Sequence, residues 1–122
     1  MHTGNIMVHR AHLEAPGNAI LDKDDRSEWH VPALRRVTEA AKRGAMEAGC
    51  PPSLLMGQLA HLGGQAFLEA EYGKTGTPGE RPDEWTEEGI RDMIERFAYA
   101  AWVLYNAGFD GVQVSMQCPY PP

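Results

Sequence analysis

A few residues in this chain have types and spacing that could do chemistry. His9 and His12 stand at a spacing that would set two imidazoles on one helix face as metal ligands. No third ligand is evident, and Pro16 and Gly17 argue against a helix, so a solvated loop is the preferred reading and no metal is expected. Gly73-Lys74-Thr75 matches the end of the phosphate loop G-x-x-x-x-G-K-[ST], but Leu68 stands where the first glycine is required and the motif fails. Cys118 is a thiol for which His61 would be the activating partner, although no local motif supports a cysteine nucleophile. The stretch Ser53 to Gln65, S-L-L-M-G-Q-L-A-H-L-G-G-Q, is more informative. Its apolar run Leu54, Leu55, Met56 follows Pro51 and Pro52, and it ends in a polar, glycine-rich corner. That pattern reads as a buried strand, with Gln58 and His61 where the strand runs out. In parallel α/β sheets, ligands sit at such carboxyl ends.

The bulk properties narrow the classes. A chain of 122 residues is enough for one domain with a modest core. A net charge of -6 disfavours nucleic acid and anionic membranes as partners. No apolar stretch approaches the ~20 residues of a membrane span. Met1 to Arg10 lacks the apolar segment of a signal peptide, and Cys50 and Cys118 are far apart. Reduced thiols in the cytoplasm are therefore expected.

The elements that would position these residues alternate. Thr3 to Val8 is a short candidate strand, and His9 to Trp29 reads as a long polar loop with a charged surface run at Asp22 to Asp25. Val31 to Ala48 is predicted to be a helix, with Leu34, Val37, Ala41 and Ala45 as its apolar stripe and Gly49 as its stop. The strand in Ser53 to Gln65 follows, then an irregular segment from Phe67 to Arg81. Thr86 to Ala107 is the strongest helix, with Thr86 as N-cap. Ile90, Met93, Ile94, Phe97, Ala101 and Leu104 form its stripe, and Trp102 and Tyr105 widen it. Gly111 to Val114 is a third strand. Crossover helices imply parallel strands with right-handed connections. About three parallel strands and two main crossover helices do not close a barrel, which takes about 250 residues, so the pattern reads as part of a larger α/β domain.

Several stretches together resemble the old yellow enzyme, or NADH:flavin oxidoreductase, family. They are T-G-N-I-M-V at Thr3 to Val8, H-L-E-A-P-G-N at His12 to Asn18, G-Q-L-A-H-L-G-G-Q at Gly57 to Gln65, and the run from Trp85 through A-G-F-D-G-V-Q-V at Ala107 to Val114. The resemblance implies a partial TIM (β/α)8 barrel over residues 1–114, with a divergent Pro-rich tail at 115–122. It also implies FMN at the carboxyl ends of the strands, NADH or NADPH as reductant, and hydride transfer from the flavin to an activated alkene of the enone type. Gln58 matches the family glutamine that hydrogen-bonds the flavin ring. Gly4 falls near a small-residue position where backbone approaches the flavin. His61 lies in the matching Q-L-x-H segment without a catalytic role carried to it. Gly64 stands where many relatives have arginine.

The last strand departs from the family pattern G-V-x-[IV]-H-x-A-[HN]-G-Y. Ser115 takes the position of the carbonyl-polarising histidine and Cys118 that of its partner, while Tyr120 occupies the position of the proton donor. Because the match ends within one residue of Val114, an out-of-frame or read-through origin for 115–122 in a truncated gene is expected. The other reading is a non-catalytic α/β fragment or interaction module that self-associates through exposed apolar helix faces.

Overall fold

The computed structural model describes residues 1–10, 17–51, 53–61 and 87–116. Within them the chain forms β1 (His2–Met7), β2 (Ala19–Ile20), α1 (His30–Glu47), β3 (Met56–His61), α2 (Glu87–Asn106) and β4 (Gly111–Met116). All strand pairs are parallel, in the order β2-β1-β3-β4, and the sheet is open. The architecture is α/β with helical crossovers, as expected of a partial barrel. The long loop expected from His9 to Trp29 contains an additional strand: β2 pairs Ala19 with Ile6 and Ile20 with Met7. Two residues flanked by turn-forming sequence carry no periodic signal, so only the neighbouring strand reveals this element.

Both helices end in the same way. Cys50 N–H donates to the Ala45 carbonyl and Gly49 N–H to that of Met46, with Gly49 at φ +69. After α2, Phe109 N–H donates to the Leu104 carbonyl and Gly108 N–H to that of Tyr105, with Gly108 at φ +93. These are paired C-terminal bonds around a left-handed glycine, which satisfy carbonyls the helix leaves open. Phe109 then folds back into the core beside Leu104. The N-terminal ends of β3 and β4 are tied by Asp110, whose N–H donates to the Leu55 carbonyl while its carboxylate accepts the Leu55 N–H.

The main core lies between the sheet and the helices. Ile6, Val8, Leu21, Leu55 and Leu59 meet Ala100, Val103, Leu104, Ala107 and Phe109. Strand alternation sends Met7 and Ala60 to the opposite face, where they form a separate buried pair. Gly57 belongs to the helix side: a Cβ there would stand 2.5 Å from Leu104 Cδ1, so glycine lets α2 approach β3 closely.

The helix stripes differ from expectation in detail. On α1 the buried position is Thr38, not Val37, which is 47% exposed. Thr38 Oγ1 donates to the Ala107 carbonyl at 2.8 Å, so a hydroxyl is favoured at the crossing with the end of α2. On α2, Arg96, Ala100, Val103 and Leu104 are buried, whereas Ile90, Ile94, Trp102 and Tyr105 are exposed. Apolar spacing marks a face that can be buried, and the neighbouring elements decide which side is.

Candidate functional site

β3 starts later than its apolar run suggested. Leu54 is 69% exposed and precedes the strand, which runs from Met56 to His61. Gln58 is thus inside the strand rather than beyond it, and His61 is its last residue. Asn5, Gln58 and Gln113 are register partners across β1, β3 and β4. Partners in a parallel ladder point to one face, so these amides form a polar row. Since Leu59 packs against α2, alternation puts that row on the face opposite the helices, with Ala60 and Ser115 one step further along.

Gln58 is held at two points. Its backbone N–H donates to Thr3 Oγ1 at 3.0 Å, and its Nε2 donates to Asn5 Oδ1. At the carboxyl end of the sheet Val8 N–H donates to the Ala60 carbonyl, and the rings of His9 and His61 meet edge to face with centroids 5.9 Å apart. Ser115 pairs with Ala60 and is half-buried. Gln58 on β3 and Ser115 on β4 therefore share one face of neighbouring strands, Gln58 at mid-strand and Ser115 toward the carboxyl end, while His61 closes β3. Gly4 lies on β1, and a Cβ there would meet nothing within 4 Å. Cys118, Tyr120, His12, Thr86 and the Gly73-Lys74-Thr75 segment lie outside the described residues. Among the described residues no group of three or more His, Cys, Asp or Glu could hold a metal ion.

Beside this end, a charged cluster joins the chain after β2 to α2. Asp22, expected in a surface run, is 2% exposed. Its carboxylate accepts the N–H groups of Arg10 at 2.9 Å and Asp24 at 2.8 Å, and Arg96 Nη1 at 2.8 Å. Burial pushes the Asp22 carboxyl up, but these donors together outweigh it and hold it below the ordinary aspartate range. Arg96 also donates from Nε to Asp92 and from Nη2 to Asp24. Lys23 pairs with Asp92 at 2.6 Å and Glu95 at 3.1 Å, and its hydrogen bond to Asp92 is the largest cause holding that carboxyl down. Sequence reasoning missed Asn5, Asp22 and Arg96. Asn5 interrupts an apolar strand, which is a signal of a kind. Nothing separates Arg96 from the solvated charges of its helix.

Taken together, fold and site define a parallel α/β sheet that presents a row of neutral amides on one face, midway along its strands. Over nearly all its length the chain is similar to curated oxidoreductases, among them NADPH dehydrogenases and an NADH-dependent flavin oxidoreductase. It is 36% identical over 124 residues to a metal reductase of Desulforamulus reducens, covering 96% of this chain and 18% of that protein. It is 28% identical over 120 residues to an NADPH dehydrogenase of Listeria monocytogenes, covering 92% of this chain and 33% of that protein. It is 27% identical over 125 residues to an NADH-dependent flavin oxidoreductase of Aspergillus parasiticus, covering 92% and 27% respectively. The chain thus spans between 18% and 33% of the length of these curated relatives. No family model matches it. No helix among the described residues is long and apolar enough to cross a membrane.

Proposed function

We propose that this chain forms one wall of an FMN site in an NAD(P)H-dependent flavin oxidoreductase of the ene-reductase type. The observation that carries the reading is the Asn5, Gln58, Gln113 row; by the resemblance of its motif, Gln58 would be the glutamine that meets the flavin. The donor set fits. After donating to Asn5, Gln58 keeps one Nε2 hydrogen and its Oε1, a donor and an acceptor suited to the alternating edge of a flavin ring. The open space at Gly4 leaves room for a close approach to the backbone. When bound, FMN would supply hydride to an activated alkene after reduction by NADH or NADPH.

Ser115 would donate a hydrogen bond to a substrate carbonyl but brings no positive charge. Losing one preorganised donor to a developing oxyanion typically lowers the rate ~10²–10³-fold, so carbonyl polarisation here is weak. Tyr120 as proton donor and Cys118 as second polarising group belong to the same reading.

NMR titration of the chain with FMN tests it. The expected result is weak binding that perturbs Gln58, Ala60 and Ser115 and is lost in Gln58→Ala. Perturbations confined to other surfaces, or a Gln58→Ala variant that titrates like the parent, would overturn it. Tight stoichiometric binding would contradict the single-wall description.

One observation favours a second reading, a non-catalytic interaction module that self-associates. Ile90, Ile94, Trp102 and Tyr105 leave an apolar stripe of α2 exposed. Size-exclusion chromatography should then show an oligomer that Ile94→Lys dissociates; a monomeric parent chain rejects the module.

A further inference from the structure

β1 carries one residue more than β3 between two of their register pairs: His2 is level with Met56, but Asn5 with Gln58. Such an irregularity breaks the ladder locally and re-aims the side chains that follow. The broken ladder is patched at Gln58, whose N–H turns to Thr3 Oγ1. Beyond it Asn5 stands beside Gln58, both half-buried, and accepts its Nε2 hydrogen bond. Without the extra residue, Gly4 would stand level with Gln58 and offer this amide no side-chain partner.

A glutamine amide carries its donor group and its acceptor at nearly equivalent sites, and half a turn about the last side-chain bond exchanges them. With Asn5 Oδ1 beside one site, the exchanged orientation of Gln58 would set two carbonyl oxygens together and is disfavoured. With Nε2 against Asn5, Oε1 is directed away from β1. We propose that Asn5 is a positioning residue that fixes the orientation of the Gln58 amide, and so decides which of its atoms meets a flavin ring edge. The inference rests on the flavin reading above. The irregularity in β1 is the backbone feature that brings Asn5 into place, and the Gln58 N–H bond to Thr3 keeps the two strands in that register.

Side-chain amide exchange and FMN binding in Asn5→Ala and Asn5→Asp test this. Aspartate can only accept, so it should hold Gln58 in the same orientation. The Gln58 Nε2 proton that Asn5 accepts is expected to exchange slowly in the parent chain and in Asn5→Asp, and about tenfold faster in folded Asn5→Ala. Equal exchange in the parent and Asn5→Ala overturns the proposal. Should Asn5→Ala fail to fold, the through-hydrogen-bond coupling between Gln58 Nε2 and the Asn5 side-chain carbonyl is read in the parent, and its absence overturns it. The binding arm separates the two claims. FMN affinity lowered in Asn5→Ala and retained in Asn5→Asp supports both. Affinity lowered by Gln58→Ala but untouched by Asn5→Ala overturns the positioning role and leaves the flavin reading standing. Affinity indifferent to Gln58→Ala overturns the flavin reading and the flavin part of this proposal with it. In that case the exchange rates still decide whether Asn5 orients the amide.

Discussion

Arg96 Nη1 on α2 donates to Asp22 Oδ1 at 2.8 Å, and both side chains are almost fully buried. This ion pair ties the chain that follows β2 to α2. It is satisfied on every side, because Asp22 also takes two backbone N–H groups and Arg96 also reaches Asp92 and Asp24.

Removing one partner should therefore be more damaging than removing both. Arg96→Leu leaves a buried carboxylate short of its cation and should lower stability by about 3 kcal/mol. The Asp22→Asn, Arg96→Leu double variant should recover part of that loss. Urea unfolding of the two variants and the parent chain measures it.

Asp22 and Asp92 both titrate below the ordinary value of 3.8 in the folded chain. A carboxyl with a depressed folded-state pKa binds protons more readily when unfolded. Its contribution is present above the unfolded value and disappears as the pH falls through the folded one. Stability should hold from neutral pH to about pH 5 and decline steeply below about pH 4. The decline should be shallower in the Asp22→Asn, Arg96→Leu double variant, as thermal melts between pH 2 and pH 7 would reveal.

Thr38→Val keeps the shape of the side chain and removes the hydroxyl that donates to the Ala107 carbonyl. The expected loss is about 1 kcal/mol, since a buried acceptor is left unpaired. Hydrogen exchange should quicken at Gly108 and Phe109, whose amides close the last turn of α2.

Gly57→Ala places a methyl group against Leu104 and should destabilise the chain by about 1–3 kcal/mol through crowding. Leu104→Ala opens a cavity at the same contact and should destabilise it by about 2–5 kcal/mol. Combined, the two changes should be less destabilising than their sum, because each relieves part of the other's defect. Denaturant midpoints of the three variants form the cycle.

Much of this architecture is legible in the residues. Gly49 and Gly108 stop both helices because a left-handed turn needs glycine there, and the order of apolar runs and helical stripes specifies a parallel crossover fold. The motif around Gln58 is the sequence feature on which the proposed flavin wall rests. What the residues do not reveal is which side of each helix is buried. Val37 and Thr38 are adjacent, and either could face inward. Ile90 and Ile94 have the right spacing, yet Arg96 takes the buried place because Asp22 is there to receive it.

Local periodicity and turn chemistry depend on neighbours in the chain, so the sequence alone determined the two helices, the strands β1, β3 and β4, and their order. The tertiary structure decided the register of β1 on β3, and with it the meeting of Asn5 and Gln58. It also decided the burial of Asp22 and Arg96, and the pairing of β2. These depend on residues far apart in sequence, and a charge or an amide acquires its role only when its partner arrives.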